Sequence, residues 1–477
     1  MSRRGADRAE RDTGAGPAPE VPTARGSVGA DAGTPETPAP HRSRLARAWR
    51  TLGPGLVAGA SDDDPSGVAT YAQAGARFGF GLLWTALFTL PLMAAVQETC
   101  DRIALATGGS LGDAVRERFG PRARLVVGVL TAALIGTNTI GIAADLVAVG
   151  SGASLLHLGP VWVWALVAGA VATALPLFGG FGAAQTLFKF LSLLLLAYPL
   201  VLFTVAVPWG SALRHFFLPG VPTSREELSL LVAVLGTTIS PYLFFWQSAD
   251  RAEEMRHEQA DGRPVPLRRR RPRRAAGKQR TSRIDVFTGV LLTNTVMFSV
   301  MVSTAGATGS ATGHGAAAIT TAGQAAEALR PVAGNGATIL FALGFIGSGM
   351  LAVPVLAAAG SAGLTGLADR PWGLRRRVRE APMFYTLIAV ATLGGTALTA
   401  LPVDPMRLLV FAAIVNGVAC APFLVVVMLI ARDAGLVGRY RNGALAGVLG
   451  WAAAVLMAGA AVAMLVIVAT GGGGVGS

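Results

Sequence analysis

The chain has 477 residues, of which 52% are hydrophobic and only 14% charged, with a net charge of +13. Roughly a quarter of a soluble protein's residues are charged, so this composition excludes a chain that faces water along most of its length. The positive charge lies between apolar stretches, which points to membrane topology and away from nucleic acid.

Residues 1–48 are rich in Gly, Ala, Pro and Arg and hold no apolar stretch, so a disordered tail without a secretory signal is expected there. Beyond the tail, apolar runs predict about eleven transmembrane helices, each near the ~20 residues that cross a bilayer core. They fall at about 51–71, 79–105, 125–155, 160–178, 183–207, 229–252, 284–306, 333–359, 381–401, 406–431 and 443–469. Helices are the expectation because the ten-residue alternation of a membrane barrel is absent. Cys100 and Cys420 both sit in apolar spans, so no disulfide framework is expected.

Arginine placement supports this count. With the N-terminus inside, the tail and the loops near 116–124, 255–283, 370–379 and 432–441 are inner segments, and these hold most of the arginines. This is the positive-inside pattern, with the C-terminus outside. The densest run, Arg268 to Arg274, is expected in a basic cytoplasmic loop at 255–283 that faces anionic lipid. The preference for Arg over Lys points to a GC-rich bacterial source and hence to a bacterial inner membrane.

Two spans are interrupted. The first carries Asp62, Asp63 and Asp64 in its middle, followed by Pro65, Ser66 and Gly67. A charge at the bilayer centre costs at least ~2.5–3.5 kcal/mol, and proline breaks the helical hydrogen-bond ladder. Asp64 before Pro65 suits the cap and first position of a restarted helix. The sixth span repeats the device, with Thr237, Thr238 and Ser240 before Pro241. Breaks five spans apart fall in oppositely oriented units. The expected architecture is therefore two inverted repeats, at about 51–207 and 229–431, with an extra helix at 443–469. Discontinuous helices facing each other at midplane are the ion sites of many secondary transporters.

These residues resemble the Nramp family of divalent metal transporters, which have a LeuT-like fold. The family's first-helix Asp-Pro-Gly-Asn motif aligns with Asp64-Pro65-Ser66-Gly67, and its sixth-helix Met-Pro-His-Asn with Ser240-Pro241-Tyr242-Leu243. A third-helix Asp-Leu-x-x-Val pattern aligns with Asp145-Leu146-Val147-Ala148-Val149. The resemblance implies a metal site built from Asp64, Gly67, Ser240 and the Thr237 carbonyl.

The departures are informative. Ser240 stands where the family has a methionine, which removes a soft ligand and favours hard cations such as Mg²⁺ and Mn²⁺. Gly67 removes an asparagine side chain and leaves room for a partly hydrated Mg²⁺. Tyr242 and Gln247 replace two histidines, Ala148 replaces a glutamate, and the ninth span holds no arginine. Proton coupling is therefore expected to be weak or absent, as in the Nramp-related magnesium transporters. Asp63 and Asp145 are expected along the pathway or behind the ligands, with Tyr242, Gln247, Asn294 and Asn416. For Asn294 and Asn416 an interhelical hydrogen bond is the alternative. Glu98 and Arg102, four residues apart, are expected to pair. The other readings are a proton-coupled Mn²⁺ or Fe²⁺ importer and an organic-solute symporter on the same fold. A membrane sensor lacks any attached signalling segment, and no nucleophile–base or histidine cluster supports an enzyme or a resident cofactor.

Overall fold

The computed structural model describes residues 53–222, 224–258, 263–308, 322–400 and 405–469. The tail at 1–48 lies outside them. Among the described residues all regular structure is helical, and each expected span is occupied by helix. The first span is two helices, α1 (Pro54–Asp62) and α2 (Pro65–Phe78). The second is α3 (Trp84–Thr107), followed by the short α4 (Leu111–Arg118), which a Ser110–Asp113 capping box starts. Then come α5 (Pro121–Leu155), α6 (Val161–Ala174), α7 (Gly180–Leu194), α8 (Ala197–Val201) and α9 (Trp209–Phe217). The sixth span is split into α10 (Arg225–Thr238) and α11 (Pro241–His257). The remainder is α12 (Pro272–Ala307), α13 (Ala322–Leu367), α14 (Pro382–Leu398), α15 (Pro405–Ala431), α16 (Ala434–Val437) and α17 (Ala444–Ala469).

Among the described residues six helices are long and apolar enough to cross a membrane unaided, or seven if Val415–Ala431 and Ala434–Tyr440, bent by 57°, form one span. The other expected spans fall short for identifiable reasons. Three aspartates interrupt the first, and α3 carries Glu98, Asp101 and Arg102 at one end. The fifth and ninth are shorter apolar helices, Thr186–Val201 and Pro382–Leu398. The stretch 255–283, expected as a basic loop, is largely helical: α11 runs to His257 and α12 begins at Pro272. Pro272 suits a first helical position, and the Arg, Ala, Lys and Gln that follow are good helix formers whatever their charge.

The outer surface is apolar, with Leu125, Val129, Trp162, Leu445, Val448 and Val455 exposed as lipid-facing side chains. Inside, α5 packs along α13, α11 on α3, and α10 on α15. α1 and α12 approach closely. Gly55 and Gly59, four apart, meet Gly289, where a Cβ would lie 2.0 Å from the Gly55 carbonyl oxygen. Small residues at this spacing let membrane helices touch backbone to backbone. Gly289→Val therefore forces α1 away from α12. Overpacking of this kind costs about 1–3 kcal/mol, and the thermal midpoint of the purified protein is expected to fall. An unchanged midpoint would show that the two backbones do not meet here.

Candidate ion site

The two breaks are built alike. α1 stops at Asp62, two residues leave helical geometry, and Pro65 opens α2. α10 stops at Thr238, two residues leave helical geometry, and Pro241 opens α11. The residue before each proline is extended, with ψ 163° at Asp64 and 135° at Ser240, as the proline ring requires. Each proline lacks the N–H that would bond the carbonyl four residues back. The released carbonyls are those of Ser61 and Thr237. Both lie on hydroxyls: Tyr242 donates to Ser61 across the gap at 2.9 Å, and Ser240 donates to Thr237 at 2.7 Å or to Gly236 at 2.8 Å.

Asp64 caps α2. Its Oδ1 accepts from the Ser66 hydroxyl at 2.5 Å and from the Gly67 N–H at 2.7 Å. Gly67 therefore contributes its backbone to the cap; a Cβ there would lie 3.3 Å from the Asp62 carbonyl oxygen and 3.5 Å from the Asp64 carboxylate, so its missing side chain leaves a close fit and not the expected open space. Asp62, Asp63 and Asp64 are all buried, so the site is closed to solvent. Asp62 Oδ1 and Asp63 Oδ2 have no hydrogen-bond partner among the described residues. The same holds for both oxygens of Asp145. Gly349 of α13 seats Asp145 close to the first break: a Cβ there would lie 3.0 Å from the Asp145 carbonyl oxygen and 3.4 Å from Pro65.

Several residues that bear on the site are not in the sequence motifs. Thr293 of α12 donates to Asp63 at 2.8 Å or to Asp62 at 3.2 Å. The Tyr71 and Thr238 hydroxyls meet at 3.1 Å and tie α2 to α10. Cys420 of α15 contacts the Ile239 carbonyl in the second break, and Asn416, one turn away, has an unpartnered Oδ1 among the described residues. Asn294 is instead held between helices, accepting from Thr89 at 3.1 Å and donating to Val290 at 2.9 Å. Both cysteines are free and buried.

Gln247 does not join the breaks. It points toward the end of the molecule where α1 begins and donates to Asp101 at 2.7 Å. Asp101 also accepts from Arg251 at 2.5 Å and from Ser282. Arg251 reaches Asp285 at 2.7 Å and Glu254 at 2.5 Å. Asp285 in turn accepts from the N–H groups of Gly53, Gly55 and Leu56, at 2.7, 2.8 and 3.1 Å. A carboxylate on the first N–H groups of a helix satisfies donors that have no partner inside the helix. One buried network thus joins α3, α11 and α12 to the start of α1. Beside it, Glu98 and Arg102 pair as their spacing predicts. Among the described residues no three His, Cys, Asp or Glu side chains converge as a metal cluster.

The profile of the Nramp family, Natural resistance-associated macrophage protein-like, matches residues 55–467. The chain belongs to the Nramp family. Its curated relatives include two proteins named divalent metal cation transporter MntH. That of Verminephrobacter eiseniae is 29% identical over 73% of this chain and 75% of its own. That of Mycobacterium tuberculosis is 27% identical over 90% and 94%. Among solved structures, the Eremococcus coleocola manganese transporter superposes with a TM-score of 0.71 at 17% identity, covering 93% of this chain and 92% of its own. Mhp1, a nucleobase-cation-symport-1 family transporter in a closed conformation, gives 0.50 at 16%, covering 88% and 93%. The fold is thus a LeuT-like inverted-repeat transporter, with the Nramp breaks in the first and sixth spans. In this Nramp chain the second break carries a hydroxyl, Ser240, on its own Thr237 carbonyl.

Proposed function

We propose that this protein carries divalent cations across a bacterial inner membrane by alternating access, with Mg²⁺ as the main substrate and Mn²⁺ also accepted. The observation that supports the reading is the pair of matched breaks, joined where Tyr242 of the second reaches the Ser61 carbonyl of the first, three residues before Asp64. Asp64 supplies the charge. The Ser61 and Thr237 carbonyls and the Ser240 oxygen supply further hard ligands once their hydroxyl donors turn aside. A set of oxygens without sulfur suits Mg²⁺ and Mn²⁺. The unpartnered oxygens of Asp62 and Asp63 add negative potential just behind the site. An unpaired buried polar atom costs about 1–3 kcal/mol, a cost that an incoming cation offsets. The relatives named as divalent metal cation transporters support the substrate class. The N-terminus lies on the cytoplasmic side, following the arginine bias.

Transport proceeds with little or no proton coupling, because Tyr242 and Gln247 are committed to the Ser61 carbonyl and to Asp101 and neither is a histidine. The membrane potential drives uptake, at ~2.3 kcal/mol per charge per 100 mV. A second reading, a proton-coupled Mn²⁺ or Fe²⁺ importer, draws on Asp145. That buried carboxyl has no hydrogen-bond partner among the described residues. Influx into proteoliposomes, with an internal pH dye, separates the two. Mg²⁺ and Mn²⁺ entry without acidification is the expected result. Mn²⁺ entry with acidification and no Mg²⁺ flux would return the protein to the coupled class.

A further inference from the structure

A polar cavity lies far along the chain from the breaks, where α15, α16 and α17 meet. It has a volume of about 330 Å³ and is lined by Arg432, Arg439, Arg441 and Asn442. Its floor is fixed to α3: Asn442 donates to Thr99 at 3.0 Å and accepts from Arg102 at 3.1 Å, and Arg102 also donates to the Arg441 carbonyl at 3.2 Å. The three arginine heads, by contrast, meet no acid among the described residues. Arg439 donates only to the hydroxyl of Tyr440, at 2.8 Å. The neighbouring carboxylates are engaged elsewhere: Asp433 with Arg118 and the N–H groups of Gly435 and Leu436, Glu98 with Arg102 and Arg283. Three guanidinium groups around one cavity repel each other unless an anion sits between them. At the rim α17 begins, and its first N–H groups have no acceptor inside the helix. Along the same helix Leu445 and Val448, three and six residues beyond Asn442, are 74% and 68% exposed and form an apolar stripe.

We propose that this cavity holds the phosphate of an anionic phospholipid, with the acyl chains lying along the exposed face of α17. Guanidinium is the side chain best matched to phosphate, and the apolar stripe distinguishes a lipid from a soluble phosphate. The ligand is structural or regulatory and distinct from the transported ion, so the assignment stands whatever ion is carried.

The test compares the full-length protein in nanodiscs of phosphatidylcholine alone and with added phosphatidylglycerol. The readouts are the thermal midpoint and the lipid retained in native mass spectrometry. A triple variant, Arg432→Gln with Arg439→Gln and Arg441→Gln, is set against a charge-matched control, Arg122→Gln with Arg280→Gln and Arg370→Gln. These control arginines are exposed elsewhere on the chain. The expected result is stabilisation and retention of phosphatidylglycerol that the control keeps. The cavity variant loses it by about a hundredfold, roughly fivefold for each arginine. Equal loss in both variants, or none in either, overturns the site in favour of diffuse surface charge. Stabilisation in phosphatidylcholine discs by soluble glycerol phosphate, to the same extent, overturns the lipid assignment.

Discussion

Asp64→Asn is expected to abolish measurable divalent-cation uptake while leaving the fold intact. The substitution separates the two tasks of this side chain. As the cap of α2, Asp64 accepts from Ser66 and the Gly67 N–H through one oxygen, and an asparagine oxygen caps about as well. As the charge at the site it has no substitute. Truncating one partner of a buried charged contact costs ~2–5 kcal/mol, and every 1.4 kcal/mol is tenfold. Uptake should therefore fall by about thirtyfold at least, with the thermal midpoint nearly unchanged. Asp64→Ala loses the cap as well, so it should lower both uptake and midpoint, the latter by about 1 kcal/mol of stability. Mg²⁺ protection against unfolding offers a second readout. Wild type should be stabilised by the ion and Asp64→Asn should not. Uptake by Asp64→Asn at half the wild-type rate would remove Asp64 from the ligand set.

The breaks themselves were legible in the chain. Asp62 to Pro65, and Ser240 with Pro241, sit inside apolar runs where neither carboxylates nor proline belong without a purpose, and the structure puts two non-helical residues before each proline. The family motifs were legible for the same reason. The partners of those residues were not. Tyr242 reaches Ser61 from 181 positions away and Thr293 reaches Asp63 from 230, and no hydrophobic period encodes such contacts. Gln247, expected among the pathway groups from its motif position, donates to Asp101, 146 positions away, a partner that no local pattern encodes. The helical start of α12 was hidden by its charge: Arg273, Arg274 and Lys278 look like loop residues by composition, yet Lys278 is drawn into helix-to-helix pairs with Glu254 and Glu258.

The second large effect is expected at Arg251. It is 2% exposed and bonded to Asp101, Glu254 and Asp285 together. Removing one member of such a buried ionic set leaves the others uncompensated and costs about 3–5 kcal/mol. Part of that loss should appear as lower stability and part as opening, because Asp285 is also the acceptor for the first N–H groups of α1. With Arg251 gone, Asp285 keeps its bonds to α1 but loses its tie to α11. The tie between α11 and the start of α1 is then lost. In Arg251→Ala, alkylation of a cysteine introduced by Ala60→Cys should rise on the order of tenfold to a hundredfold, the population shift that ~1.4–2.8 kcal/mol produces. The native thiols, both buried, give a low background. Arg251→Lys keeps the charge but not the planar fork that serves three carboxylates at once, so it should fall between wild type and Arg251→Ala. Uptake should drop in both variants, because alternating access needs both closed states to be populated. If Arg251→Ala lowers the thermal midpoint without changing alkylation, the network holds the fold together but does not gate the site.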